Sequence, residues 1–577
     1  MKFLWVACVL WACAPGCPAL NREAFTFANY NLHVRIEPEQ RRLAVRGTIT
    51  LRNDSGTPQR NLSLQISSSL GWRSVERSHH ALPFLSQTYT SDIDHTGVLS
   101  EAIVELPEAV PPKGTVELEV GYEGVIPLDT TRLTRIGVPE QEARHTDWDQ
   151  ISDSFTAVRG VGYVAWYPVA IEAASLSDAN AVLDALGRWK AREADASMTV
   201  VLESTRDETP LFSGTPDSAS VPDPETAKVG AFTMLRFGTD VPAFAMASYQ
   251  KLTAKLNSTV EYLPGQQDSA QAYVDVMAQL DPFPPVGRGA VGTLQVVQLL
   301  DPDAAAFSTQ GMLLTPLEAP VTREGDLTLI YALTRERVWS RRAWIKEGLA
   351  HYAQLLHIEQ QQGRQAVLDY LNAHRTELAE AEKDAVTKST GDTGTPEESE
   401  TARALVHSGD NLYAQTKAMY VWWMLRDMVG ELNPALQSYR ASEDQDPAYL
   451  ERLIEPLARR DLGWFFEDWV YHDRGLPDFR VASVYPSPTG QGGYMVTVTV
   501  ENLGSAGAEV PVTVRAQDGT ASKRLEVRGK SKNSIRIMVP SLPQEVVVND
   551  GSVPETEVSS HVFEVQPTKV PPALEPH

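Results

Sequence analysis

The apolar residues of this chain change their spacing twice, and that change limits the fold more than any other property of the sequence. From about residue 21 the repeat is two. Leu32, Val34 and Ile36 alternate with His33, Arg35 and Glu37, and after the polar turn from Glu39 to Arg42 the residues Leu43, Val45, Ile49 and Leu51 fall on one face. Val116, Leu118, Val120 and Tyr122 repeat the pattern after Pro111, Pro112 and Gly114. Successive side chains of a strand point to opposite faces, so this repeat specifies antiparallel sheet with one wet face. The reading holds to about Ser248.

Helical spacing follows. Helices are expected from Ser269 to Leu280, through Tyr331 and Arg335 with Asp326 as N-cap, from Trp344 to about Gln360, from Gly363 to about Glu380, and from Thr416 to Val429 with Gly430 as the stop. Residues 381–403 are polar and aperiodic, which predicts a mobile loop. Beyond Pro477 the repeat of two returns in Val496, Val498 and Val500, in Val510, Val512 and Val514, and in Ile535, Ile537 and Val539. These short strands read as an immunoglobulin-like β-sandwich. At 577 residues the chain exceeds what one core supports. The expectation is therefore multidomain: a leader at 1–19, an N-terminal antiparallel β domain at 20–248, a mostly helical domain at 249–475, the sandwich at 476–565 and a disordered tail at 566–577.

The first residues carry Lys2, an apolar run, and small residues at Ala14 and Ala19, which is the pattern of a secretory leader too short to span a bilayer. All three cysteines, Cys8, Cys13 and Cys17, lie within it. The mature chain is thus expected to be exported without disulfides, thiol nucleophile or cysteine metal site, to the periplasm, the cell envelope or the medium. A net charge of −24 argues against nucleic acid and against an anionic membrane surface. Membrane contact is expected only if Cys17 carries a lipid.

Motifs that would carry chemistry are few. There is no Walker loop and no Gly-x-Ser-x-Gly elbow. Gly287, Gly289 and Gly292 spell GxGxxG but precede the strand expected at 293–300. A dinucleotide site needs the reverse order, so this is read as a turn. The informative stretch is Trp344-Ile-Lys-Glu347-Gly-Leu-Ala350.

That stretch resembles the third-ligand helix of gluzincin zinc peptidases. Together with Val241-Pro-Ala-Phe-Ala-Met, Tyr413 through Leu425, and Trp464 through Trp469 with Gly475-Leu-Pro477, it makes the chain similar to the membrane alanyl aminopeptidase (aminopeptidase-N-like) family. The resemblance implies a thermolysin-like fold for 249–475 and a zinc-dependent aminopeptidase ancestry. In that family an earlier helix supplies His-Glu-x-x-His, two imidazoles on one face and a carboxylate that activates water. Those positions fall on Tyr331, Ala332 and Arg335 here. A phenol is a poor ligand at neutral pH, alanine is no base, and a guanidinium has no lone pair and repels a cation. Glu347 remains as a remnant ligand. His351, one turn on, is a second candidate, and His357 or His407 would have to complete a rebuilt zinc site. The family's oxyanion-stabilising tyrosine falls on Gln415, leaving Tyr413 as a displaced remnant. The strand whose glutamate grips a substrate amine falls near Phe307 to Met312, where Gln310 offers only a neutral acceptor.

A buried carboxylate without its metal needs a partner, and Arg335 is placed to be it. The expectation is a pseudopeptidase needing no cofactor. Its former cleft, lined by Tyr331, Arg335, Trp344, Gln310, Gly311 and Met312, would bind a peptide or a protein partner without cutting it. Two alternatives stay open: a working zinc aminopeptidase with non-standard ligands, and an envelope scaffold that binds through its β domains.

Overall fold

The computed structural model describes residues 20–178, 181–217, 229–280, 283–287, 292–389 (backbone alone from 383), 404–406, 412–490, 492–557 and 561–565. The leader, with Cys17, the tail, His407 and residues 390–403 lie outside the described residues.

The chain is multidomain, with an N-terminal β region, a helical middle and C-terminal β sheets. In the first region Phe25–Glu37 pairs antiparallel with Arg42–Asn53 on one side and parallel with Ser197–Ser204 on the other, at the centre of an eight-stranded sheet. Its burial alternates strictly from Tyr30 to Ile36, as the period-two spacing requires. A three-stranded sheet (Gln59–Ser67, Val98–Val110, Phe84–Thr90) shares the core through Leu62, Leu64, Leu99 and Val104. The sequence did not announce the helix Ala181–Glu193, which seats Trp189 in that core and brings Lys190 to its edge.

The chain leaves one sheet with Phe244–Ala247 and enters the next with Gln250–Thr253. The second is a five-stranded mixed sheet. Thr259–Tyr262, Gln295–Gln298 and Met312–Thr315 run parallel, and Phe307–Thr309 closes one edge antiparallel. Four helices matter for the site. Arg323–Arg335 is capped by Thr322, whose side chain accepts from the Gly325 amide. The expected cap, Asp326, instead sits in the first turn, where it meets His357 Nε2 at 2.9 Å. Ala343–Gln362 follows directly, and Arg364–Ser389 continues past the point where a loop was expected. The fourth element, expected to be α-helical from Thr416, opens as a π-helical turn at Leu412–Lys417 and becomes α-helical at Ala418–Val429. It stops at Gly430, whose φ of 90° suits glycine.

The last strands form a three-stranded sheet (Phe479–Pro488, Tyr494–Asn502, Lys532–Val539) and a four-stranded one built on Ala508–Ala516. Their apolar faces join the core of the helical region in one continuous cluster, with Trp469 Nε1 donating to Gly507 O at 2.7 Å across the junction. Gly287 forms a bridge to Arg440, and positions 288–291 lie outside the described residues. Among the described residues no helix is long and apolar enough to cross a membrane.

Candidate functional site

Tyr331 and Arg335 lie four residues apart on one helix, so their side chains leave the same face. That face meets the helix Ala343–Gln362 at Glu347. Arg335 donates to Glu347 Oε1 from Nε at 3.1 Å and from Nη2 at 2.9 Å. The Tyr331 hydroxyl donates to Glu347 Oε2 in a short hydrogen bond, and Thr239 Oγ1 donates to Oε1 at 3.1 Å. Nη2 of Arg335 also binds Asp240, whose other oxygen accepts from Lys346 Nζ at 2.6 Å. Nη1 of Arg335 reaches Ser308 Oγ at 3.3 Å. Two cations and two carboxylates therefore cancel in a buried network that ties both helices to the segment before Val241.

Arg335, Glu347 and Asp240 are held in their ionised forms by the opposite charges beside them. Burial works against each of them, but for Arg335 the carboxylates of Asp240 and Glu347 outweigh it and raise the pKa well above the ordinary value. Burial likewise pushes the Glu347 carboxyl up, and Arg335 and Lys346 overcome this and hold it below the usual range. Asp240 is held down to about 2 in the same way, by Arg335 and Lys346 against burial. Burial first, then Glu347, keeps the Tyr331 phenol protonated. His351 lies over Tyr331 with ring centroids 4.8 Å apart. Gln354 donates to Leu327 O, which turns its carbonyl oxygen toward His351 Nδ1 at 2.8 Å. Nδ1 is then the protonated nitrogen and Nε2 carries the lone pair. Desolvation lowers this imidazole to about 4, so it is neutral at physiological pH.

These residues do not fit a zinc ion. Both oxygens of Glu347 are already engaged, and the guanidinium beside them offers no lone pair and carries a repelling charge. Among the described residues the one cluster of three candidate ligand side chains is His145, Asp301 and Asp303, which includes neither Glu347 nor His351. His145 is there engaged with Asp301 at 2.7 Å.

A cavity of about 720 Å³ opens beside the network. Of the residues expected to line it, Tyr331, Arg335 and Gln310 do, together with Glu347 and His351. Trp344, Gly311, Met312 and Tyr413 are not among its lining residues. Trp344 shares a helix face with Gly348, four residues on, and that face packs on Ala418–Val429. Its ring stacks on Trp422 with centroids 5.3 Å apart. Gly311 spends its amide on Glu336 Oε1 at 2.9 Å, and Met312 is wholly buried in its strand. Tyr413 is buried with its ring centroid 5.0 Å from Lys417 Nζ, and Gln415 faces the cavity instead. Sequence reasoning missed Lys190, Thr239, Asp240 and Lys346, whereas Ser308 lies within the stretch from Phe307 to Met312 that it had pointed to. The signal for Asp240 was its position directly before Val241-Pro-Ala-Phe; for Lys190 there was none.

The chain matches no family model and no curated protein. Among solved structures it is similar to an M1 zinc metallopeptidase mutant from Deinococcus radiodurans bound to a Tyr-Ser-Ala substrate. The TM-score is 0.44 and the identity 15%, over 77% of this chain and 96% of the other.

Proposed function

We propose that this protein is an exported member of the aminopeptidase-N-like family that has lost metal chemistry and uses its former cleft to hold a peptide or a protein partner. The ancestry rests on Trp344-Ile-Lys-Glu347-Gly-Leu-Ala350, on a mixed sheet with an antiparallel edge strand ahead of a helix pair, and on the order of the regions. On this reading the helical region is thermolysin-like, the C-terminal sheets are an immunoglobulin-like sandwich, and residues 1–19 direct export.

One observation carries the loss of chemistry. The buried Arg335 guanidinium occupies Glu347, the residue that would close a zinc site, and replaces the ion's positive charge with its own. No side chain at position 332 can serve as a base, since alanine stands there. The cavity survives and is large enough for several residues of an extended chain.

The test is metal content of the purified mature protein by plasma mass spectrometry, run beside hydrolysis of aminoacyl-fluorophore substrates. The expected result is well under one equivalent of zinc and no chelator-sensitive turnover. About one equivalent with chelator-sensitive turnover would overturn the proposal.

A further inference from the structure

The charges that line the cavity do not balance. Six cationic side chains border it, Lys190, Arg236, Arg335, Arg341, Arg342 and Lys346, against four carboxylates, Asp195, Asp240, Glu347 and Asp444. The excess is positive in a chain whose net charge is −24. The carboxylates are all engaged. Asp240 and Glu347 belong to the Arg335 network, Asp444 accepts from Arg342 Nε at 2.9 Å, and Asp195 lies 3.2 Å from Arg236 and 3.8 Å from Arg341. Lys190 alone of the six makes no hydrogen bond and no ion pair with a described residue. Its ammonium is pushed below the ordinary lysine value, first by burial and then by Arg335 and Lys346, with Glu347 and Asp240 acting against the shift without touching the ammonium.

Two further groups on the cavity wall are unsatisfied, and both are acceptors. Gln310 Oε1 is buried with no hydrogen-bond partner among the described residues. His351 Nε2 is likewise buried with no partner among the described residues, and it carries the lone pair because Nδ1 holds the proton. Buried polar atoms of this kind are costly unless something supplies the missing bond.

We propose, building on the reading of the cleft as a peptide site, that its ligand is carboxylate-bearing: an anionic group on the ligand pairs with Lys190, and ligand N–H groups donate to Gln310 Oε1 and His351 Nε2. A free α-amine, the group an aminopeptidase must grip, is here opposed by Lys190 and Arg335, and Gln310 brings no negative charge to hold it. The cleft has in this sense reversed its electrostatic preference. The carboxylate can come from a peptide C-terminus or from an acidic side chain, since both present the same two oxygens.

Isothermal titration of the intact mature protein tests this with four tripeptide probes: N-acetyl-Ala-Ala-Phe with a free C-terminus, N-acetyl-Ala-Glu-Phe-amide, neutral N-acetyl-Ala-Ala-Phe-amide, and Ala-Ala-Phe-amide with a free amine. At least one carboxylate probe should bind ten-fold or more tighter than the neutral one, and which one does so identifies the source. Lys190→Met should abolish that preference at unchanged thermal stability, and Lys190→Arg should restore it. Tightest binding by the free-amine probe, or a carboxylate preference that survives Lys190→Met, would overturn this inference and leave the peptide-site reading standing. Absence of binding by all four would overturn both.

Discussion

Arg335 and Glu347 stand on successive helices with Nη2 2.9 Å from Oε1, both buried, and the bond is one of three that Oε1 accepts. A buried pair of this kind is worth little against well-packed apolar residues of the same size, but removing one partner strands the other in a medium that solvates it poorly. Arg335→Ala should therefore cost about 3–5 kcal/mol in denaturant unfolding. It leaves two carboxylates, Glu347 and Asp240, facing one ammonium. Arg335→Met combined with Glu347→Met leaves Asp240 with Lys346 and should cost less than the single change. An Arg335→Ala protein as stable as the parent would show that the network does not hold the helices.

Gly348 explains the small residue that follows Glu347. A Cβ built there would lie 2.7 Å from Ala418 Cβ and 2.8 Å from both Cδ1 and Nε1 of Trp422. Trp422 cannot retreat, because its Nε1 donates to Trp344 O at 3.2 Å and its ring stacks on Trp344. Gly348→Ala should force the two helices apart and destabilise by about 1–3 kcal/mol despite alanine's better helix propensity. A melting temperature equal to or above the parent's would contradict this packing.

His351 predicts a pH dependence. Its folded pKa, lowered chiefly by desolvation to about 4, lies below the ordinary 6.5. The unfolded chain then binds the proton more readily than the folded one. The stability that this residue contributes is fully present above pH 6.5 and is lost as pH falls from 6.5 toward 4. Each pH unit between the folded and unfolded values corresponds to about 1.4 kcal/mol, and partial solvent access reduces the loss to about 1–2 kcal/mol. Unfolding free energies at pH 7.5 and pH 4.5 for the parent and for His351→Gln measure it. An equal drop in both proteins would assign the acid sensitivity elsewhere.

The sheets and helices were legible because their signals are local. Alternation from Tyr30 to Ile36 names a strand with one buried face, and the apolar run from Met419 to Leu425 names a buried helix, whatever each packs against. Ends were less legible. Thr322 and Asp326 are both good caps, and the choice between them depends on where the preceding chain arrives, which no local pattern encodes. Trp344 was misplaced for a related reason. An aromatic beside a site residue can face the cavity or the core, and only the position of Trp422 decides it.

Taken alone, the sequence determined the order of sheet, helix and sheet, the face shared by Tyr331 and Arg335, and the unsuitability of both as metal ligands, since these follow from spacing and side-chain chemistry. The tertiary structure decided what compensates the buried charges. Asp240 stands 95 positions from Arg335, and Thr239 stands 108 from Glu347. Burial and electrostatic pairing depend on distance through space, and the chain sets that distance only once two regions with separate hydrophobic patterns have packed together.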